Sequence, residues 1–276
     1  MQSCQFFEKQ IHLSIMGGVP IETSRRGQPR LERIHTIYEV ISRRIKEETG
    51  IIHITTLPKA GTYNRQRAVG EAETPETLEE AKRAEVKFWH RGDYPDDLRF
   101  NTSEAEYTKW EGKLRALCIH YMTKDKEEQM VSLTIDAWSL GGAFIVKFLA
   151  QEQNHALFEK LNVRIKGMHC IAPTTAVRTS FDAIKLSRKE IGRLRLILVR
   201  AAQNIFVTAN ANDEILEGRG EREAREIASL INVQPIIETH SKGHLLASHY
   251  ITDDLSIVGQ TVDRTMKMIR TAHRGD

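Results

Sequence analysis

Ser139 is flanked two positions on either side by Ala137 and Gly141, with Gly142 next, and it follows the alternating run Val131-Ser132-Leu133-Thr134-Ile135. Small residues at those positions let a serine stand on a sharp turn between a strand and a helix, its hydroxyl lifted clear of the backbone. The N-terminus of the following helix then directs partial positive charge at the same point, and the backbone N–H of Leu140 becomes a donor to an oxyanion. A serine that attacks a carbonyl needs a base to take its proton and an acid to orient that base. Asp213 stands at the end of an apolar, β-branched run beginning at Ile205, and His244 lies in Ser241-Lys242-Gly243-His244-Leu245, beyond another such run. The order Ser139, Asp213, His244 leaves whole strand–helix units between the three, so one edge of a sheet can collect them.

Each residue has a plainer reading beside the catalytic one. A serine before a helix is often its N-cap, an aspartate after a strand a turn residue, and a lone histidine a surface residue. His240 and His249 compete with His244 for the base and Glu214 with Asp213 for the acid. The Gly-His step and the strand-end position favour His244 and Asp213. Asp136, three residues before the serine, is too close in sequence to orient His244 and reads either as structural or as a support behind the residues that do the chemistry. Trp138 either lines a substrate pocket or packs beneath the turn.

The elements that would hold these residues alternate along the chain. Strand patterns run over Ile11–Ile15, Ile51–Leu57, Val131–Ile135, Val163–Ile171, Ile205–Ala209 and Pro235–Thr239. Helical spacing runs from Leu31 to Ile45 with Gly50 as its cap, from an N-cap at Ser103 through Tyr121, over Phe144–Phe158, Phe181–Ala202 and Glu221–Ile231, and over Thr252–Thr271. Strands alternating with helices predict a doubly wound, mostly parallel six-stranded α/β sheet with helices on both faces, in one domain over 1–276. Residues 62–103 read as a helical and loop insertion, and 173–203 as a possible cap segment. Working groups in such a sheet gather at the C-terminal strand ends.

Composition narrows the classes. The 276 residues carry 40 Lys+Arg against 37 Asp+Glu, a formal charge of +3, and the signs alternate along most of the chain. That is a solvated surface and argues against a nucleic-acid partner. The basic residues Arg188, Lys189, Arg193, Arg195 and Arg200 read in the same way, as a solvated helix face. Three cysteines without paired spacing predict free thiols and a cytoplasmic location. No apolar run is long enough to span a membrane. No metal-ligand spacing and no phosphate or dinucleotide loop is present, so neither metal nor cofactor is expected.

The residues around 139, 213 and 244 resemble the α/β-hydrolase fold family. Ala137 to Gly141 is similar to that family's nucleophile elbow, with alanine at the first small position. Ile11 to Pro20 (I-H-L-S-I-M-G-G-V-P) resembles its third strand and oxyanion loop, with Met16-Gly17 where His-Gly is usual, which leaves Gly18 as the second backbone donor. Ile52 to Thr62 (I-H-I-T-T-L-P-K-A-G-T) is similar to the strand and turn that usually read D-x-P-G-x-G-x-S, without the aspartate. Asn212-Asp213-Glu214-Ile215 and Gly243-His244 resemble the acid and histidine loops. The resemblance covers nearly the whole chain and starts at the family's third strand, so the first hairpin is expected to be missing. It implies a serine hydrolase that cleaves a small-molecule ester, thioester or amide through an acyl-enzyme on Ser139, with Asp213, His244 and the Leu140 and Gly18 N–H groups as its machinery. A non-catalytic receptor or scaffold of this fold, or an acyltransferase with the same triad, would share the pattern.

Overall fold

Branched apolar residues alternating with short polar ones draw six segments into strands: β1 (Glu8–Ile15), β2 (Ile52–Thr55), β3 (Met130–Trp138), β4 (Val163–Ile171), β5 (Ile205–Asn210) and β6 (Ile236–Glu238). The computed structural model describes residues 8–15, 43–55, 104–123, 129–173, 186–213, 219–239 and 255–273. All six strands pair in parallel in the order β2-β1-β3-β4-β5-β6. The expected six-stranded parallel sheet is therefore present.

Six labelled helices accompany the strands: α1 (Glu104–Met122), α2 (Leu140–Ala150), α3 (Glu152–Lys160), α4 (Arg188–Leu198), α5 (Gly220–Ile231) and α6 (Leu255–His273). Residues 43–48 are also helical, and a 3-10 turn, Val199–Asn204, leads into β5. Helices α1 to α5 contribute to one apolar core with Ile11, Leu13 and Ile15 of β1, Leu133, Ile135 and Ala137 of β3, and Val207 and Ala209 of β5. On the opposite face α6 contacts β3 and β4. Ion pairs join it to the 43–48 helix, Arg44 to Asp263 at 2.6 Å and Arg270 to Glu48 at 3.4 Å. Helices thus cover both faces.

An irregularity in β4 keeps its core side chains aligned. Leu133 pairs with Ile165 but Thr134 pairs with Gly167, so β4 holds one extra residue, Lys166. The extra residue resets the period of two, and Val163, Ile165, Met168 and Cys170 all reach the same apolar core. Gly167 is required there, because a Cβ on it would stand 2.8 Å from Met268 Cγ of α6.

Several boundaries differ from the sequence expectations. The third strand runs three residues further than Ile135 and ends directly against Ser139. The single helix expected over Phe144–Phe158 is broken at Gln151, whose extended backbone (φ −73°, ψ 137°) separates α2 from α3. The buried Asn154 amide donates to the Phe148 carbonyl at 2.9 Å, replacing the helical partner lost at the break. The helix expected from Phe181 starts at Arg188, where Ser187 and Glu190 form a capping box. Its arginines close other helices. Arg193 donates to the Ala150 carbonyl at 3.0 Å, and Arg195 to those of Leu230 and Ser229 at 3.0 and 2.9 Å. Ser103 and the 62–103 insertion lie outside the described residues, as does the part of the 173–203 segment between Pro173 and Leu186.

Candidate active site

The chain changes winding direction between β1 and β3. It leaves β1 for β2 on one side, crosses over to β3, and then proceeds through β4, β5 and β6 on the other. Open α/β sheets bind ligands at such a switch point, outside the C-terminal strand ends. Ile15 ends β1 opposite Ala137, and Ser139 follows β3 by one residue. Ser139 therefore stands at the switch point by topology alone.

Its conformation separates the two readings of this serine. An N-cap residue normally has extended φ/ψ and accepts a bond from the helix through its side chain. Ser139 instead has φ 52° and ψ −122°, and its side chain makes no capping hydrogen bond. A non-glycine residue in that region costs roughly 1–3 kcal/mol, which the surroundings must hold in place. The backbone supplies part of the restraint. Ser139 N–H donates to the Ile171 carbonyl at 2.9 Å, and its own carbonyl accepts from Gly142 N–H at 3.0 Å. A Cβ on Gly142 would stand 2.8 Å from the Pro173 Cβ, so a side chain there would push α2 away from the end of β4. Ser139 is 8% exposed. Leu140 opens α2, and its N–H belongs to the first turn, where amides have no partner within the helix.

Asp213 is fully buried beyond β5, in a turn set by Asn210. The Asn212 N–H donates to the Asn210 side chain at 3.1 Å, and the Asp213 N–H to the Asn210 carbonyl at 3.2 Å. Gly220, the first residue of α5, packs on this turn; a Cβ there would be 2.9 Å from Asp213 Cβ and closer still to the Asn210 carbonyl oxygen. Trp138, Ile171 and Thr208 form one row across β3, β4 and β5. The ends that carry Ser139 and Asp213 are thus two strand spacings apart, roughly 10 Å. Gly18, Glu214, His240, His244 and His249 lie outside the described residues.

Beneath the elbow the structure places a polar cluster that sequence reasoning took only in part. Asp136 is fully buried, and the side chains of three residues surround its carboxyl group. His12 Nε2 lies 2.7 Å from Asp136 Oδ1; Ser14 Oγ donates to the same oxygen, and the Trp138 indole N–H to the other. His12 Nδ1 reaches Thr134 Oγ1 at 2.9 Å, and Ser14 Oγ meets His53 Nε2 of β2 at 2.8 Å. Burial by itself would raise the Asp136 pKa. The hydrogen bond and charge of His12, with the bonds from Ser14 and Trp138, outweigh it and hold the carboxyl below the usual carboxylate range. Trp138 is 1% exposed and turned toward Asp136, the packing arrangement of its two expected placements.

A second buried pairing lies one strand over. His169 Nδ1 is 3.0 Å from Thr265 of α6, and its Nε2 is 2.9 Å from Thr208 of β5. Burial lowers its pKa to about 3 and that of His53 to about 4, with nearby cationic groups adding to each effect. Burial pushes the thiols of Cys118 and Cys170 up to about 12, which leaves both protonated and inert. One signal for this cluster was present in the sequence. A parallel sheet covered on both faces has no solvent side, so the polar residues alternating in I-H-L-S-I and S-L-T-I-D had to be buried and paired.

Among the described residues no group of three or more His, Cys, Asp or Glu is placed to hold a metal ion, and no helix is long and apolar enough to cross a membrane. No family model matches the sequence, and no curated protein matches it. Solved structures do resemble it. The ydeN gene product of B. subtilis is 14% identical over 95% of this chain and 99% of its own, with a TM-score of 0.45. Carboxyl esterase 2 of Tuber melanosporum is 12% identical over 95% and 77%, with a TM-score of 0.43. A carboxylesterase of Lactobacillus plantarum is 12% identical over 100% and 91%, with a TM-score of 0.39. Likeness at this level carries no transfer of activity. By its all-parallel strand order and the strand–turn–helix elbow at the switch point, the architecture is that of an α/β-hydrolase fold.

Proposed function

We propose that the protein is a serine hydrolase that cleaves a carboxylic ester, thioester or amide of a small molecule through an acyl-enzyme on Ser139. The observation that carries this reading is the Ser139 backbone, held at φ 52° with no capping role for its side chain. A helix start gains nothing from that strain, whereas a nucleophile that must project from a sharp turn depends on it. The position of Asp213 supports the same reading, since a carboxylate two strands from the serine leaves the space between them for an imidazole.

His244 is assigned as the base. It follows the end of β6 by six residues, and six residues of extended chain reach roughly 20 Å, more than the distance from β6 to β3. In the proposed reaction His244 accepts the Ser139 proton as Oγ bonds to the substrate carbonyl carbon, and Asp213 holds the imidazole in the required tautomer. The backbone N–H groups of Leu140 and Gly18 hold the oxyanion as it forms. Collapse of the tetrahedral species breaks the bond to the leaving group, which takes the proton from His244. Water then gives a proton to His244 as it adds to the acyl carbon, and His244 returns that proton to Ser139 Oγ as the acid leaves.

A series of p-nitrophenyl esters of increasing acyl length tests this. The wild-type protein is expected to hydrolyse the shorter members with an initial burst, and Ser139→Ala to lose about 10⁴-fold or more in kcat. Equal rates for wild type and Ser139→Ala would remove Ser139 from the chemistry.

A further inference from the structure

Asp136, His12, Ser14 and Trp138 form a charged knot directly under the elbow, and neither the proposed triad nor the oxyanion donors account for it. A buried carboxylate costs several kcal/mol of desolvation, and replacing buried ion pairs by well-packed apolar residues is often neutral or stabilising. Parallel sheets are ordinarily apolar on both faces. Stability alone therefore gives little reason to keep a carboxylate at this position, and its place in the fold suggests another. Of its partners, Trp138 is the last residue of β3, bonded in sequence to Ser139. The indole ties Trp138 to Asp136, while His12 and Ser14 tie Asp136 to the neighbouring strand β1. Ser14 extends the tie to His53 on β2, and Thr134 extends it to His273 of α6 at 3.3 Å. One carboxylate thus joins the residue before the strained serine to three strands and a helix.

We infer that Asp136 is a positioning residue: acting through the Trp138 indole, it fixes the peptide preceding Ser139 and so sets the direction of the Ser139 hydroxyl. The inference rests on the acyl-transfer reading for its catalytic consequence, but the positioning itself is a property of the fold. Asp136 touches neither substrate nor reacting atoms in this account. Backbone bonds from Ser139 to Ile171 and from Gly142 to Ser139 hold the far side of the turn, and the Asp136–Trp138 tie holds the near side.

The test compares the full chain with Asp136→Asn, Trp138→Phe and the double variant. Trp138→Phe keeps an aromatic ring beneath the turn while removing the N–H donor and part of the buried indole. A misplacement of about 1 Å can cost on the order of 10²-fold in rate, so each single variant is expected to lose roughly 10- to 100-fold in kcat for a p-nitrophenyl ester, with KM changed less than about 2-fold. The double variant should be no slower than the slower single one, because both changes cut the same tie. In ¹H–¹⁵N spectra the Trp138 indole resonance should move in Asp136→Asn, and the Ser139 amide resonance should move alike in both single variants. If Asp136→Asn does not fold, Trp138→Phe decides alone. Folded Trp138→Phe with wild-type kcat and an unmoved Ser139 amide would overturn the inference while leaving the acyl-transfer reading intact. A wild-type protein inert toward every ester, in which the Ser139 amide still moves in both variants, would do the reverse; inert protein with an unmoved amide would overturn both.

Discussion

On one face of the sheet Ile11, Leu13, Leu133, Ile135, Met168 and Val207 meet five helices in an apolar core. On the other face, from the same strands, His12, Ser14, Thr134, Asp136, His169 and Thr208 are just as buried and are joined by hydrogen bonds. The first face is held by dispersion and the exclusion of water, which are non-directional and tolerate small shifts. The second is held by bonds with fixed partners, in which one missing group leaves another unsatisfied. A fold that needs only a core can use two faces of the first kind. This one places directional bonding beneath the strand end where Ser139 is strained, so losing a partner on either face costs stability, but only the second face also fixes a direction.

Substitutions across the two faces put this difference to measurement. Asp136→Ala removes the shared acceptor of His12, Ser14 and Trp138 and is expected to cost about 3–5 kcal/mol of unfolding free energy in urea titrations. Ile135→Ala, its neighbour on the apolar face, should cost about 2–5 kcal/mol while leaving the Trp138 indole environment unchanged. If Asp136→Ala were as stable as wild type, the polar face would not be held by this carboxylate.

Acid separates the faces in a second way. His169, His53 and His273 have folded pKa values of about 3, 4 and 4, lowered chiefly by burial, against about 6.5 when unfolded. Below pH 6.5 the unfolded chain binds protons that the folded chain refuses, so stability falls as pH falls, by at most ~1.4 kcal/mol per pH unit for each histidine, until the folded groups titrate. The Asp136 shift adds a loss of the same direction at lower pH, below about 3.8, where the unfolded carboxyl takes up protons first. Urea midpoints measured from pH 7 to 4 should show this slope, and His169→Asn should flatten it. No change in slope would mean His169 does not stay neutral in the fold.

Smaller effects mark the edges of the cluster. Thr265→Val leaves one His169 ring nitrogen without its partner and is expected to cost about 1–3 kcal/mol, more than a comparable Ile→Val change on the apolar face. Arg195→Ala, which uncaps the end of α5 at the surface, should cost less than about 1 kcal/mol.

Period-two alternation made the strands legible, and the small residues Ala137 and Gly141 around Ser139 marked the turn. Taken strand by strand the same alternation also describes a strand with one side in water, so the polar face follows only when it is combined with the expectation of helices on both faces; α6 provides that cover and encloses His12, Ser14 and Asp136. The break at Gln151 was not legible for a related reason. It depends on Asn154 reaching back to the Phe148 carbonyl, a side-chain choice that apolar spacing does not record. The start of α4 was written in Ser187 and Glu190, but the apolar residues ahead of them extend the helical pattern past the cap. The Ser139 strain has no sequence signature beyond its small neighbours, since φ at a single residue is set by the strand, the helix and Pro173 together.

Covalent labelling tests the central claim most directly. A fluorophosphonate probe incubated with the folded chain, followed by peptide mass mapping, should place one adduct on Ser139 and none on the Ser139→Ala variant. Folded wild-type protein that takes up no probe, or an adduct mapped to another serine, would contradict the assignment of Ser139 as the nucleophile.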